Sequence, residues 1–152
     1  MGVSYEDFEV GSTVDVGEHT FSADEIIRFG EQFDPQPFHV NVDAAKASPF
    51  GGLIASGWHT CSIMMGLAVR NTLRGSTSMG SPGVDEIRWI KPVRAGDTIL
   101  MKNTVLDKRV SESRPDRGIV SIQWDGINQN GETVIVVRSK VIFGLRNPGG
   151  AA

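Results

Sequence analysis

The stretch from Leu53 to about Arg74 restricts the possible folds of this chain more than any other. It is the longest segment with a helical apolar period, and Cys61, Ile63, Met64, Met65, Leu67, Ala68 and Val69 in its middle point to nearly every side. A helix that is apolar all round must be wrapped by other structure. The wrapping is expected from the C-terminal half. After a Gly/Ser/Thr-rich linker over Gly75–Gly83, the apolar spacing changes to that of strands, expected at Val84–Ile90, Thr98–Val110, Gly118–Ile127 and Thr133–Leu145. Asn130-Gly131 is a two-residue hairpin signal, since both positions tolerate positive φ. A first strand, then helices, then four sequential strands give an α+β order, with an antiparallel sheet wrapped around a long central helix.

The first half of the chain carries the polar chemistry. Thr13–Phe21 has the mixed β-branched and polar character of a strand. Ser22-Ala23-Asp24-Glu25 reads as a capping box, and Ile26, Phe29 and Phe33 follow at helical spacing. Asp34 therefore falls at or just past the C-terminus of that helix, where the carbonyl end of the macrodipole is expected to raise its pKa. His39 follows five positions later, with Pro35 and Pro37 between them. Each proline fixes its own φ and pushes the preceding residue out of the helical region, so a stiff extended loop is expected. Val42–Ala47 forms a short helix stopped near Pro49, and Phe50-Gly51-Gly52 is a flexible approach to the main helix. The first amides of that helix, around Gly57, lack intrahelical acceptors. An acid/base pair on a rigid loop, next to amides able to hold a developing negative charge, makes a credible active site.

Other groups carry weaker signals. A lone loop aspartate commonly makes an Asx-turn and a lone histidine commonly sits satisfied in the core; it is the combination that points to catalysis. His59, just inside the helix start, reads as structural, and His19 as a surface residue of the first strand. Cys61 lies in the apolar helix and reads as a small hydrophobe. No histidine spacing suggests a metal site, and no phosphate-binding glycine motif is present, so neither metal nor nucleotide is expected. The formal charge of -3 over 152 residues argues against a general binder of nucleic acid or acidic membrane. A single cysteine fits a reducing cytoplasm, the acidic N-terminus is no secretory signal, and no apolar run is long enough to span a bilayer. One domain is expected over residues 1–146, with a flexible tail over 147–152.

The segment D-P-Q-P-F-H from Asp34 resembles the D-x-N-P-x-H signature of MaoC-like (R)-specific enoyl-CoA hydratases. S-G-W downstream resembles the glycine that opens their central helix, and K-P-V-R-A-G-D a strand-linking segment of the same hot-dog-fold proteins. The resemblance runs from about Phe8 to Arg146. Gln36 stands where the family has asparagine, and Met65 where many hydratases carry a helix serine; Ser62 is the nearest hydroxyl and receives no role. The resemblance implies a hot-dog fold, a homodimer or dimer of dimers, and addition of water to a trans-2-enoyl-CoA to give the (R)-3-hydroxyacyl product. It implies Asp34 and His39 as the catalytic pair, with the Gly57 backbone N–H, joined by that of Trp58, as oxyanion hole. Coenzyme A would be part of the substrate and no separate cofactor is needed. Trp58 with Met64 or Met65 is expected to bound the acyl pocket, and Arg88, Lys91 and Arg94 are candidates for the coenzyme A phosphates. A hot-dog thioesterase and a non-catalytic acyl-CoA-binding subunit are the alternatives.

Overall fold

The computed structural model describes residues 2–149, so the end of the expected tail, 150–152, lies outside the described residues. Five strands form one antiparallel sheet in the order β1-β3-β4-β5-β2. They are β1 (Thr13–Thr20), β2 (Gly83–Trp89), β3 (Thr98–Val110), β4 (Arg117–Ile127) and β5 (Thr133–Gly144). In β4 burial alternates at every residue, so Val120, Ile122 and Trp124 face the core and their neighbours face outward. Such alternation is what a sheet with one covered face requires. The β4–β5 hairpin closes at the expected place but not with the expected two-residue turn. Gly131 N–H bonds Asn128 O, and only Gly131 takes positive φ, at 75°. Asn128 Oδ1 accepts from the amides of Asn130 and Glu132, holding a longer loop.

The helices fill the concave face. They are α1 (Ala23–Phe33), α2 (Pro37–Val40), α3 (Val42–Ala47) and α4 (Gly57–Ala68), the last continuing as a π-helical turn over Val69–Leu73. The capping box at the start of α1 forms in full: Ser22 Oγ accepts from Glu25 N, and Glu25 Oε2 accepts from Ser22 N. Met64 is fully buried among the sheet's side chains, and beneath it the glycine at position 126 makes room for Ile135. A Cβ there would stand 2.5 Å from Ile135 and 3.6 Å from Met64 Sδ. This is the hot-dog arrangement of a curled antiparallel sheet around a central helix.

The central helix opens at Gly57, the place expected for its first free amides. The start of the periodic segment, Leu53–Ser56, is instead drawn into extended pairing: Ile54 bridges Arg94, and Ala55 N bonds Val93 O. The structure corrects two expectations about the helices. The segment after Pro35 is not extended throughout. Pro37 opens the one-turn helix α2, at the one helical position where a missing N–H costs nothing. The central helix is also not wrapped on every side, because Trp58, Ser62, Met65 and Val69 form an exposed stripe that the sheet does not reach. Among the described residues no helix is long and apolar enough to cross a membrane.

Candidate active site

Asp34 is the C-cap residue of α1, and His39 lies on α2. Gly30, buried in α1, permits the close approach of these helices; a Cβ on it would lie 2.9 Å from Val40 and 3.0 Å from His39. Two hydrogen bonds then fasten α2 to the segment that leads into α4. Ile54 N bonds Phe38 O at 3.1 Å, and His39 Nδ1 lies 2.7 Å from Ile54 O. A carbonyl oxygen only accepts, so Nδ1 carries the proton and donates. That leaves Nε2 facing Asp34 Oδ2, at 3.2 Å. At that separation one proton bridges the two atoms: on Nε2 it lets the ring donate to the carboxylate and favour its ionised form, so the pair is arranged to share and pass on a single proton.

The carboxylate has two further partners. Gln36 Nε2 donates to Oδ1 at 2.8 Å, and Ser56 Oγ donates to Oδ2 at 2.8 Å. Partial burial pushes the Asp34 pKa up, but these two donors and the His39 ring outweigh it and hold Asp34 below the usual carboxylate range. The expected upward shift from the helix end is therefore overturned. Side-chain hydrogen bonds act at contact distance, whereas the macrodipole contributes only a partial charge. Gln36, one methylene longer than the family's asparagine, folds back onto the carboxylate.

The cleft beside this pair has a volume of about 510 Å³ and includes Gly57, Trp58, Thr60, Trp89 and Lys91 in its wall. At the start of α4 the amides of His59 and Thr60 both bond Ser56 O, while those of Gly57 and Trp58 have no acceptor among the described residues. Trp58 is 57% exposed and meets Trp89 edge to face, with ring centroids 5.2 Å apart. Gly57 is held tightly, since a Cβ on it would stand 2.4 Å from the Trp89 indole.

The site brings Asp34, His39, Gly57 and Trp58 together, but neither methionine joins them. Met64 is core and Met65 belongs to the exposed stripe, so the expectation that either walls the cleft is not met; the helix turn at Thr60 faces it instead. Among the basic candidates, Lys91 lines the cleft and is engaged by Glu132, whereas Arg88 is taken by Glu86 on the exposed surface. His19 is no plain surface residue, because its Nε2 lies 2.6 Å from Glu25 Oε1. The same oxygen is 3.4 Å from Nε2 of buried His59, whose ring stacks on Phe29. Burial lowers the His59 pKa despite Glu25, and burial raises that of the Cys61 thiol, which leaves both in their neutral forms as structural groups. Ser56 was not foreseen. A serine just before a helix reads as an ordinary N-cap, and that position was its only signal.

The family model described as MaoC like domain matches residues 7–124. A crystal structure of the MaoC-like dehydratase from Rhodospirillum rubrum is 43% identical, covers 96% of this chain and 99% of that one, and superposes with a TM-score of 0.88. The Bacillus subtilis protein YdeM is 31% identical over 82% of this chain and 86% of its own length. A 3-hydroxybutyryl-CoA dehydratase of Methylorubrum extorquens is 26% identical, covering 90% of this chain and 85% of that enzyme. A mesaconyl-CoA hydratase of Haloarcula marismortui is 27% identical over 78% of this chain, which spans only 33% of that enzyme's length.

Proposed function

Since the chain belongs to the MaoC-like domain family, whose model matches residues 7–124, we propose that it is a hydro-lyase adding water across the double bond of a trans-2-enoyl-CoA to give an (R)-3-hydroxyacyl-CoA. The observation that carries this reading is the Asp34–His39 pair, 3.2 Å apart and opening on a cleft that also holds the free amides of Gly57 and Trp58. Water is a poor nucleophile towards an alkene, so it needs a proton acceptor, and the thioester must accept charge as an enolate. Asp34 takes a proton from water while His39 Nε2 orients that water and shares in the transfer. The water oxygen bonds to the β carbon, and the proton taken from that water is passed by the Asp34–His39 pair to the α carbon. The Gly57 N–H, with that of Trp58, binds the thioester oxygen as it becomes negative. A carboxylate held below its usual pKa stays ionised at neutral pH, as a group that takes a proton from water must. Coenzyme A arrives as part of the substrate, and the setting is a reducing cytoplasm where Cys61 stays a thiol.

The test is the absorbance of crotonyl-CoA mixed with the protein. Loss of the enoyl chromophore is expected; release of free thiol without it marks a thioesterase, and binding without turnover marks an acyl-CoA-binding subunit.

The substrate proposed is a short or small branched acyl group. Trp58 follows the glycine of the oxyanion hole and lies in the cleft wall, so its indole limits the space beyond the reacting carbons. The names of the two enzymes similar to this chain, 3-hydroxybutyryl-CoA dehydratase and mesaconyl-CoA hydratase, are compatible with small acyl groups. In a series from four to twelve acyl carbons, kcat/KM is expected to fall with length, and Trp58→Ala to shift the preference towards longer chains. Each methylene seated in an apolar pocket is worth about 0.8 kcal/mol, so the shift is graded. An unchanged length profile in Trp58→Ala would remove the indole from the pocket.

The proposed assembly is a homodimer or dimer of dimers. Its support on this chain is the exposed stripe of Trp58, Met65 and Val69, together with the open edge of β2, which carries exposed Val84. Light scattering at micromolar protein is expected to give at least twice the monomer mass; a clean monomer overturns the assembly.

A further inference from the structure

We infer that Ser56 is a positioning residue for Asp34, its hydroxyl fixing the carboxylate oxygen that faces His39 and doing so in place of capping the helix it precedes; this rests on the hydratase reading of the site. Ser56 occupies the N-cap position of α4, with φ -56° and ψ 139°, where a serine side chain ordinarily accepts from the second or third helical amide. Here it makes no such bond. Its hydroxyl, with Ser56 only 1% exposed, donates instead to Asp34 Oδ2 across a separation of 22 residues. Oδ2 is also the oxygen that His39 Nε2 approaches.

Two consequences follow from that single exchange. The carboxylate cannot rotate without breaking the partly buried bond from Ser56, so Oδ2 stays aimed at the imidazole while Gln36 holds Oδ1. The early amides of α4 are also left without a side-chain cap. Ser56 O serves His59 and Thr60, and Gly57 and Trp58 remain free for an anionic oxygen in the cleft. The titratable group in contact with Asp34 is His39 of α2. Lys91, from the β2–β3 connection, lines the same cleft and is engaged by Glu132; Gln36 and Ser56 are uncharged donors.

The sign of the effect is fixed by the chemistry. A hydroxyl donating to a carboxylate favours the ionised form, consistent with the low Asp34 pKa, so removing it must move the Asp34 titration to higher pH. The experiment follows the Asp34 carboxyl carbon by NMR in aspartate-labelled protein, assigned with Asp34→Asn, alongside pH profiles of crotonyl-CoA hydration. Ser56→Ala and Ser56→Gly are both expected to raise the Asp34 midpoint and to carry the acid limb of kcat/KM with it. A misaimed base is expected to lower kcat by about 10- to 100-fold, with KM little changed. Ser56→Thr, which keeps a hydroxyl, recovers most of the loss.

Glycine is the discriminating variant because it caps a helix almost as well as serine and lacks the hydroxyl. If Ser56→Gly keeps the wild-type midpoint and rate, Ser56 is an ordinary cap and the inference fails. The NMR midpoint needs no turnover. A protein that leaves crotonyl-CoA untouched, yet whose Asp34 midpoint moves with Ser56, loses the hydratase reading and keeps the coupling.

Discussion

Replacing Asp34 with Asn, or His39 with Gln, is expected to lower the rate of crotonyl-CoA hydration by about 10²–10⁴-fold, the usual contribution of a positioned acid or base. Both substitutions keep approximate size and hydrogen-bonding capacity. In Asp34→Asn the amide oxygen can still accept from Ser56 or Gln36, but the amide nitrogen presents a donor where the carboxylate had an acceptor. In His39→Gln the amide stands near the place of Nε2 but exchanges no proton. The Nδ1 bond to Ile54 O is then gone, and the backbone bond from Ile54 N to Phe38 O still holds the segment. Circular dichroism is expected to be unchanged, since both substitutions leave the sheet and its apolar core intact even though His39 itself is buried. Activity within a few-fold of wild type in either variant, with an intact fold, would remove that residue from the chemistry.

Gly57→Ala is expected to be nearly as damaging, for a different reason. The added methyl would stand 2.4 Å from the Trp89 indole, closer than carbon atoms can approach, so either the ring swings out or the first turn of α4 moves. Movement of that turn takes the Gly57 amide away from the thioester oxygen. Loss of one such donor typically costs about 10²–10³ in rate, and overpacking adds about 1–3 kcal/mol of destabilisation. The two outcomes separate in the double variant. Trp89→Ala removes the obstruction, so Gly57→Ala/Trp89→Ala is expected to be more active than Gly57→Ala alone. A fully active Gly57→Ala would mean that the indole, 47% exposed on an edge strand, yields without disturbing the helix.

Features that depend on near neighbours in sequence were readable from the chain. The capping box of Ser22 and Glu25, the short helix over Val42–Ala47 and the alternation of β4 each follow from local spacing. Asp34 and His39 could be paired for the same reason, being separated only by a proline-constrained segment. What escaped depends on partners far along the chain. The extended start of the periodic segment comes from Val93 and Arg94, which pair with Ala55 and Ile54. The downward shift of the Asp34 pKa comes from Gln36, Ser56 and His39 together, and the part due to Ser56, 22 residues away, is one that no local rule gives. The orientation of Met64 and Met65 was hidden by a helix so uniformly apolar that no face could be distinguished before the sheet was in place. Residue 65 turned out to face outward.

The links that bring the two halves of the cleft together are made by main-chain atoms. Ile54 N meets Phe38 O, Ala55 N meets Val93 O, and the imidazole of His39 holds the carbonyl of Ile54 rather than its side chain. Side-chain identity at positions 38, 54 and 93 therefore does not set the spacing between the proton-transfer pair and the helix amides. Apolar substitutions that conserve volume at these positions are expected to reshape the walls around a substrate while the main-chain links stay in place. Specificity can then change without moving the paired groups relative to the helix amides.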